Sequence, residues 1–414
     1  MDAGLVEQRY NTVEGSRPFQ WGDAPNTGPR LFFADIHADP LLALRDIGVD
    51  APMAREPVGH TDILRLRQGG VGLQVFGVPT NKTWCKDNED CGEHPNMISA
   101  LAISALWPPE TWFDYEALAL HQAHRLANLA ADPDNKLVLV RDRPTLDEFC
   151  ERKLKDPEVI GGLLGLEGAQ ALTHGAESIG VLRKSGFVLL GLVHFFDNAY
   201  GSSQHEGKEH KRGLTDAGEA VIVEAARRGM IIDLAHASKE LIRAVIDLRV
   251  EGSFPIVVSH TGINPAPDDD ACSPARNLKV EDAHLIANTG GLIGPGLWDD
   301  ALCPIIEEGT APQDVDDTYA RRFADRVDFM IKKEFDARFI ALGSDFDGYE
   351  QFGFDATGLP LLAPALAERD VPKDAIKVIA GLHVLRFLMD NLPGSAAPSP
   401  GPCDHLYDTL ARAP

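Results

Sequence analysis

Eight times along the chain a short apolar run rich in β-branched residues is followed by a polar or glycine-containing turn and then a longer amphipathic stretch. The runs fall at 32–36, 72–78, 162–166, 188–193, 230–235, 255–259, 291–296 and 339–344. Parallel strands alternating with helices produce this order, because a parallel sheet is covered on both faces and its strands read as continuous apolar runs. Between the runs, 214–228 carries apolar residues at helical spacing after Thr215, and 238–248 opens on Ser238 with Glu240 close behind, as a capped helix does. Eight such units predict the α/β class and a closed (β/α)8 TIM barrel. An open doubly wound sheet is the alternative, but its GxGxxG fingerprint after the first strand is absent.

The 414 residues are 44% hydrophobic and 25% charged, enough to bury one large core, and no internal boundary interrupts the pattern. We expect an N-terminal extension over 1–30, a barrel over 31–391 and a linker and tail over 392–414, the last available as an arm for homodimer contacts. An insert at about 80–158 is long enough for two helices and a loop over the barrel mouth. The net charge of −24 repels phosphates, which argues against nucleic acid and anionic membranes as partners; it suits a divalent cation, and it also serves plain solubility. The longest apolar stretch, 97–107, is too short to span a bilayer, so no transmembrane segment is expected. Residues 1–30 lack a secretory signal, leaving a soluble protein that is either cytoplasmic or exported with its signal removed. Six cysteines do not make a disulfide scaffold. Cys85 and Cys91 bracket a polar loop and Cys272 and Cys303 flank a barrel-like segment, either as disulfides, which would imply export, or as free thiols.

Chemistry gathers where the runs stop. His37 and Asp39 follow the first run two residues apart, on one side of an extended segment. Glu167 ends the third, His194 the fourth, His236 the fifth, His260 the sixth and Asp345 the eighth. A lone histidine after an apolar run is more often a hydrogen-bonded core residue. Six of eight runs delivering His, Asp or Glu at the C-terminal end, where barrel active sites are built, is a different signal. Imidazoles and carboxylates without thiolates suit zinc or a similar divalent ion. His37, Asp39, Glu167, His236 and His260 make five ligands, and a bridging Glu167 would give each of two ions three while leaving room for a shared water. Metal binding drops the pKa of water to about 7, so hydroxide would serve as nucleophile. No GxSxG elbow or P-loop offers a rival chemistry.

At these residues the chain resembles the membrane (renal) dipeptidase family, peptidase family M19 of the amidohydrolase superfamily. The motifs are DIHADP at 35–40, LLGLEG at 163–168, LVHFFDN at 192–198, IIDLAHAS at 231–238, VVSHTG at 257–262 and GSDFDG at 343–348, in the family's order. The resemblance implies a binuclear zinc enzyme that cuts small dipeptides, often with a D-residue second. It assigns His37 and Asp39 to the first zinc, Glu167 to the bridge, and His236 and His260 to the second zinc. His194 would polarise the scissile carbonyl, and Asp345 would carry the proton from water to the leaving amine. Arg276 and Asn277 of SPARNL, with His194, would bind the substrate, Arg276 gripping its carboxylate. Segment 60–63, HTDI, resembles the family's approach to its second strand, and Cys272 with Cys303 resembles a family disulfide pair. The insert with Trp84, Cys85 and Cys91 has no family counterpart, Asp299 and Asp300 fall where pocket loops lie, and no lipid-anchor signal is present.

Fold and metals do not fix a substrate. The alternatives are another binuclear activity, as lactonase, phosphotriesterase or N-acyl amino acid hydrolase, and a non-catalytic metal-binding barrel. Arg276 favours a substrate with a free carboxylate, and Asp345 is a residue that a structural metal site would not need.

Overall fold

The apolar runs become strands because each can bury both faces, one against the barrel interior and one against a helix. The protein is seen in a computed structural model that describes residues 31–42, 47–48, 59–82, 96–205, 213–251, 253–264, 276–302, 312–348, 352–395 and 397–413. Among these are nine strands: β1 (Phe33–Ala38), β2 (Val71–Pro79), β3 (Leu137–Leu139), β4 (Ile160–Glu167), β5 (Phe187–Gly191), β6 (Ile231–Asp233), β7 (Ile256–Ile263), β8 (Asn277–Leu278) and β9 (Leu292–Pro295). Every pairing is parallel, and β1, β2, β4, β5, β6, β7 and β9 follow one another around the sheet.

The eighth run is not a continuous strand. Ala337–Phe339 forms a 3-10 turn, after which Ile340 bridges Ile293 of β9 and Leu342 bridges Asp35 of β1. Ala341 N donates to Ile293 O at 2.8 Å and Ile36 N to Leu342 O at 2.8 Å, so this segment closes the (β/α)8 barrel. A longer ladder is prevented by side-chain chemistry. Ser344 turns its N–H and hydroxyl onto the Asp35 carboxylate, at 2.8 and 2.6 Å. Gly343 passes so near the Ser259 carbonyl that a Cβ would collide with it.

Ile36, Leu73, Leu163, Leu189, Ile231, Val257 and Leu292, one from each strand of the ring, fill the interior in a buried layer. Val384, Phe387 and Leu388 of the helix His383–Asn391 plug one end. Polar groups are thereby confined to the other end, where the strands finish.

The two expected helices run from Asp216 to Arg227, capped by Thr215 on Gly218 N at 3.0 Å, and from Lys239 to Glu251, with Ser238 on Leu241 N at 3.1 Å. The insert holds more than two helices: Met97–Ser104, Tyr115–Ala131 and Arg143–Lys155, with β3 between the last two. The stretch read from sequence as a linker and tail carries the helix Pro402–Arg412, which docks on Arg143–Lys155. Cys403 and Leu406 are buried there, and a disulfide joins Cys403 to Cys150. Neither cysteine was singled out by spacing, since the partners are 253 positions apart. Both pairs suggested by the sequence, Cys85 with Cys91 and Cys272 with Cys303, lie outside the described residues, as do 1–30.

Candidate metal centre

The strand ends bring all seven predicted polar groups together. His37 Nε2 lies 3.4 Å from Asp39 Oδ1, as period-two alternation requires, and 3.8 Å from Asp345 Oδ1. Glu167 Oε1 lies 3.6 Å from His37 Nε2, 3.5 Å from His194 Nε2, 3.0 Å from His236 Nε2 and 3.3 Å from His260 Nε2. All seven side chains are buried or nearly so.

Local structure aims them. His236 and Asp345 stand at φ 62° and 61°, left-handed backbone that costs a non-glycine residue roughly 1–3 kcal/mol, and from these turns their side chains reach Glu167 and His37. Asp233 braces the first turn, accepting from Ala235 N at 3.0 Å and Ser259 N at 2.9 Å. Asp345 N donates to His37 O at 3.0 Å, tying the closing segment to β1. His194 turns Nδ1 to the Asn81 carbonyl at 3.1 Å, leaving Nε2 toward Glu167. Ser259 Oγ sits 3.0 Å from His260 Nδ1 and 3.4 Å from His37 Nδ1, so both rings present Nε2 to the centre.

Charge follows from this packing. Burial, reinforced by Asp39, raises the Glu167 carboxyl well above its ordinary value. Burial alone would lower His37, yet the Glu167 and Asp39 carboxylates outweigh it and push the imidazole up to about 10. Burial, with neighbouring cations, holds His194, His236 and His260 well below their ordinary value, so their rings are neutral with a lone pair to give. A centre that drives protons onto His37 favours positive charge.

The donors fit a metal. His37, Glu167 and His260 form one compact group, Glu167, His194 and His236 a second, and His37, Asp39 and Asp345 a third, each with ligand atoms within 4.8 Å of one another. His37 Nε2, Asp39 Oδ1 and Glu167 Oε2 are buried without a hydrogen-bond partner, which a cation would supply.

Arg276 is buried beside the cluster, its Nη2 donating to His260 O at 3.1 Å and its guanidinium 5.1 Å from the Trp298 ring. Asn277 does not join it: on β8 its amide donates to Asp300 O at 3.0 Å, bracing the helix Asp299–Leu302. Asp299 likewise faces Tyr319, whose hydroxyl donates to it at 2.7 Å. The HTDI segment is structural, with His60 N and Thr61 N donating to Asp347 at 2.7 and 3.0 Å and Asp62 capping Ile63–Gly69. Sequence reasoning missed His205, whose Nε2 lies 3.0 Å from His236 Nδ1, and Asp35, which takes bonds from Ser344 and Gln74 under the centre. His205 follows no apolar run, so no pattern marked it.

The chain is similar to several known proteins. The sequence model described as Membrane dipeptidase (Peptidase family M19) matches residues 29–392. The chain is 26% identical over 343 residues to Dipeptidase aclJ of Aspergillus oryzae, covering 81% of this chain and 71% of that one. It is 25% identical over 332 residues to an uncharacterised dipeptidase of Schizosaccharomyces pombe, covering 79% and 72%. Among solved structures, a metallopeptidase from Rhodobacter sphaeroides holding a phosphinate mimic of L-Ala-D-Ala matches with a TM-score of 0.66 at 20% identity, over 89% of this chain and 100% of that one. At that identity the likeness speaks for the fold.

Proposed function

This chain belongs to the membrane dipeptidase family, peptidase family M19, and is a metallodipeptidase; from that premise we propose that it hydrolyses small L,L and L,D dipeptides at a two-zinc centre. The observation that carries the reading is Glu167 Oε1 within 3.6 Å of four imidazole Nε2 atoms from separate strand ends. As the resemblance assigns them, His37 and Asp39, 3.4 Å apart, would hold one ion, and His236 and His260, their Nε2 atoms 2.9 Å apart, the other, with Glu167 shared. Once bound, the ions supply the Lewis acidity that makes a water nucleophilic near neutral pH.

The remaining work falls to side chains. Arg276 forms the charge-assisted pair with the substrate's terminal carboxylate and sets which carbonyl faces the centre. Asp345 takes the proton released by the attacking water on a carboxylate oxygen and returns it to the leaving amine nitrogen, so its charge is restored each turnover. With Nδ1–H on Asn81 O, His194 would steady the oxyanion of the tetrahedral state only as the imidazolium, taking its Nε2 proton from solvent as that negative charge develops. The compact group of Glu167, His194 and His236 supports a second reading of His194, as a metal ligand.

The test is a zinc-replete screen of L,L and L,D dipeptides, each also as its C-terminal amide. Cleavage of free acids with loss on amidation supports the proposal, whereas equal rates on acid and amide would remove Arg276 from its role. Hydrolysis of lactones or phosphotriesters in preference to every dipeptide would overturn the substrate class.

A further inference from the structure

Beyond β5 the chain returns to the centre in three residues, Ser203, Gln204 and His205. Ser203 N donates to Asp197 at 2.7 Å, and Ser203 Oγ donates to His194 O at 2.6 Å. Gln204 N donates to His236 O at 2.9 Å, while the Gln204 side chain donates to Arg276 O at 3.2 Å. Ser203 also bridges Ala237. Laid along the strained His236 turn in this way, the segment packs the His205 ring with its centroid 5.2 Å from that of His236 and 4.6 Å from that of Phe195. His205 Nε2 then meets His236 Nδ1 at 3.0 Å, while the far nitrogen of His236 points at Glu167 Oε1 and His260 Nε2, 3.0 and 2.9 Å away.

We infer that His205 is a positioning residue of the metal centre, accepting the Nδ1–H of His236 so that His236 offers the Nε2 lone pair to a cation. The inference rests on His236 being a metal ligand. A ligand imidazole must be neutral, and when it binds through Nε2 its proton sits on Nδ1, where burial demands an acceptor. Carboxylates and backbone carbonyls are the usual acceptors. Here it is a second imidazole, which fixes His205 as the tautomer protonated on its own Nδ1. Without it, the His236 ring loses both its orientation and the partner that selects the binding tautomer.

Zinc affinity and stoichiometry, measured by chelator competition on the full chain, test this in the wild type, His205→Ala and His205→Gln. His205→Ala is expected to weaken one zinc by about 10–100-fold and leave the other unchanged. His205→Gln, whose side-chain carbonyl can accept from Nδ1–H, is expected to recover most of the loss. If His205→Ala does not fold, His205→Met, similar in bulk but without a comparable acceptor, takes its place against His205→Gln. Unaltered zinc affinity without the acceptor, or a Gln variant no better than Ala or Met, overturns the inference. A wild type that binds no zinc removes the metal reading first, and the inference with it.

Discussion

Glu167 is the residue on which the centre converges, and the burial that raises its proton affinity also makes a cation welcome there. Protons and metal compete for the same atoms. His37, pushed up to about 10, and Glu167 must shed protons to coordinate, so zinc affinity should rise with pH and release protons on binding. Calorimetry at pH 6 and 8 should show at least about tenfold tighter binding at the higher value; equal affinity would mean that these residues are not ligands. Asp345→Asn should keep the metal and lose turnover by roughly 100-fold or more, because the amide cannot carry the proton. Loss of metal instead would make Asp345 a ligand. His194→Ala separates its two readings in the same assay: metal content kept with turnover lost assigns it to the oxyanion, and one ion lost assigns it to coordination. These residues were legible because each follows an apolar run. His205, Asn81 and Asp35 were not, since their contribution lies in whom they touch, and contacts across 31, 113 and 309 positions leave no local pattern.

At the level of elements, β1, β4, β5, β6, β7 and the closing segment each deliver one or two polar groups, and glycines let the strands approach. Gly77 of β2 lies against His37 and Asp39, the proposed first ligand pair. A Cβ there would run into Asp39 Oδ1 and come within 2.9 Å of His37 Cε1. Gly77→Ala should therefore weaken metal binding by about tenfold or more, whereas Gly165→Ala, facing Val75 at 3.2 Å and Leu189 at 3.5 Å, should leave it nearly intact. Equal zinc titrations for the two variants would contradict the arrangement. Seven of the eight expected runs became strands within a few residues, because apolar β-branched runs have few other ways to be buried. The eighth reads as a strand from its apolar residues but is held by single bridges, since Ser344 spends its hydrogen bonds on Asp35. Asn277, placed by motif next to Arg276, points its amide to a neighbouring helix, a direction that one strand's alternation reverses between adjacent residues.

Across the whole molecule, the C-terminal helix is fastened to the insert at Cys150–Cys403, closing a loop of 253 positions. Removing the bridge by Cys403→Ser should lower unfolding stability by about 2–5 kcal/mol while metal content stays near that of the native protein, since the bridge lies away from the strand ends. Denaturant melts with and without the substitution check this, and superimposable curves would deny the bridge a stabilising role. No helix among the described residues is long and apolar enough to cross a membrane. The account as a whole stands on side chains from β1, β4 and the ends of β6 and β7 meeting around cations. Anomalous diffraction at the zinc edge from metal-replete crystals measures that directly. It should give two peaks, one against His37 and Asp39 and one against His236 and His260, with Glu167 touching both. A single peak, or density away from Glu167, would contradict it.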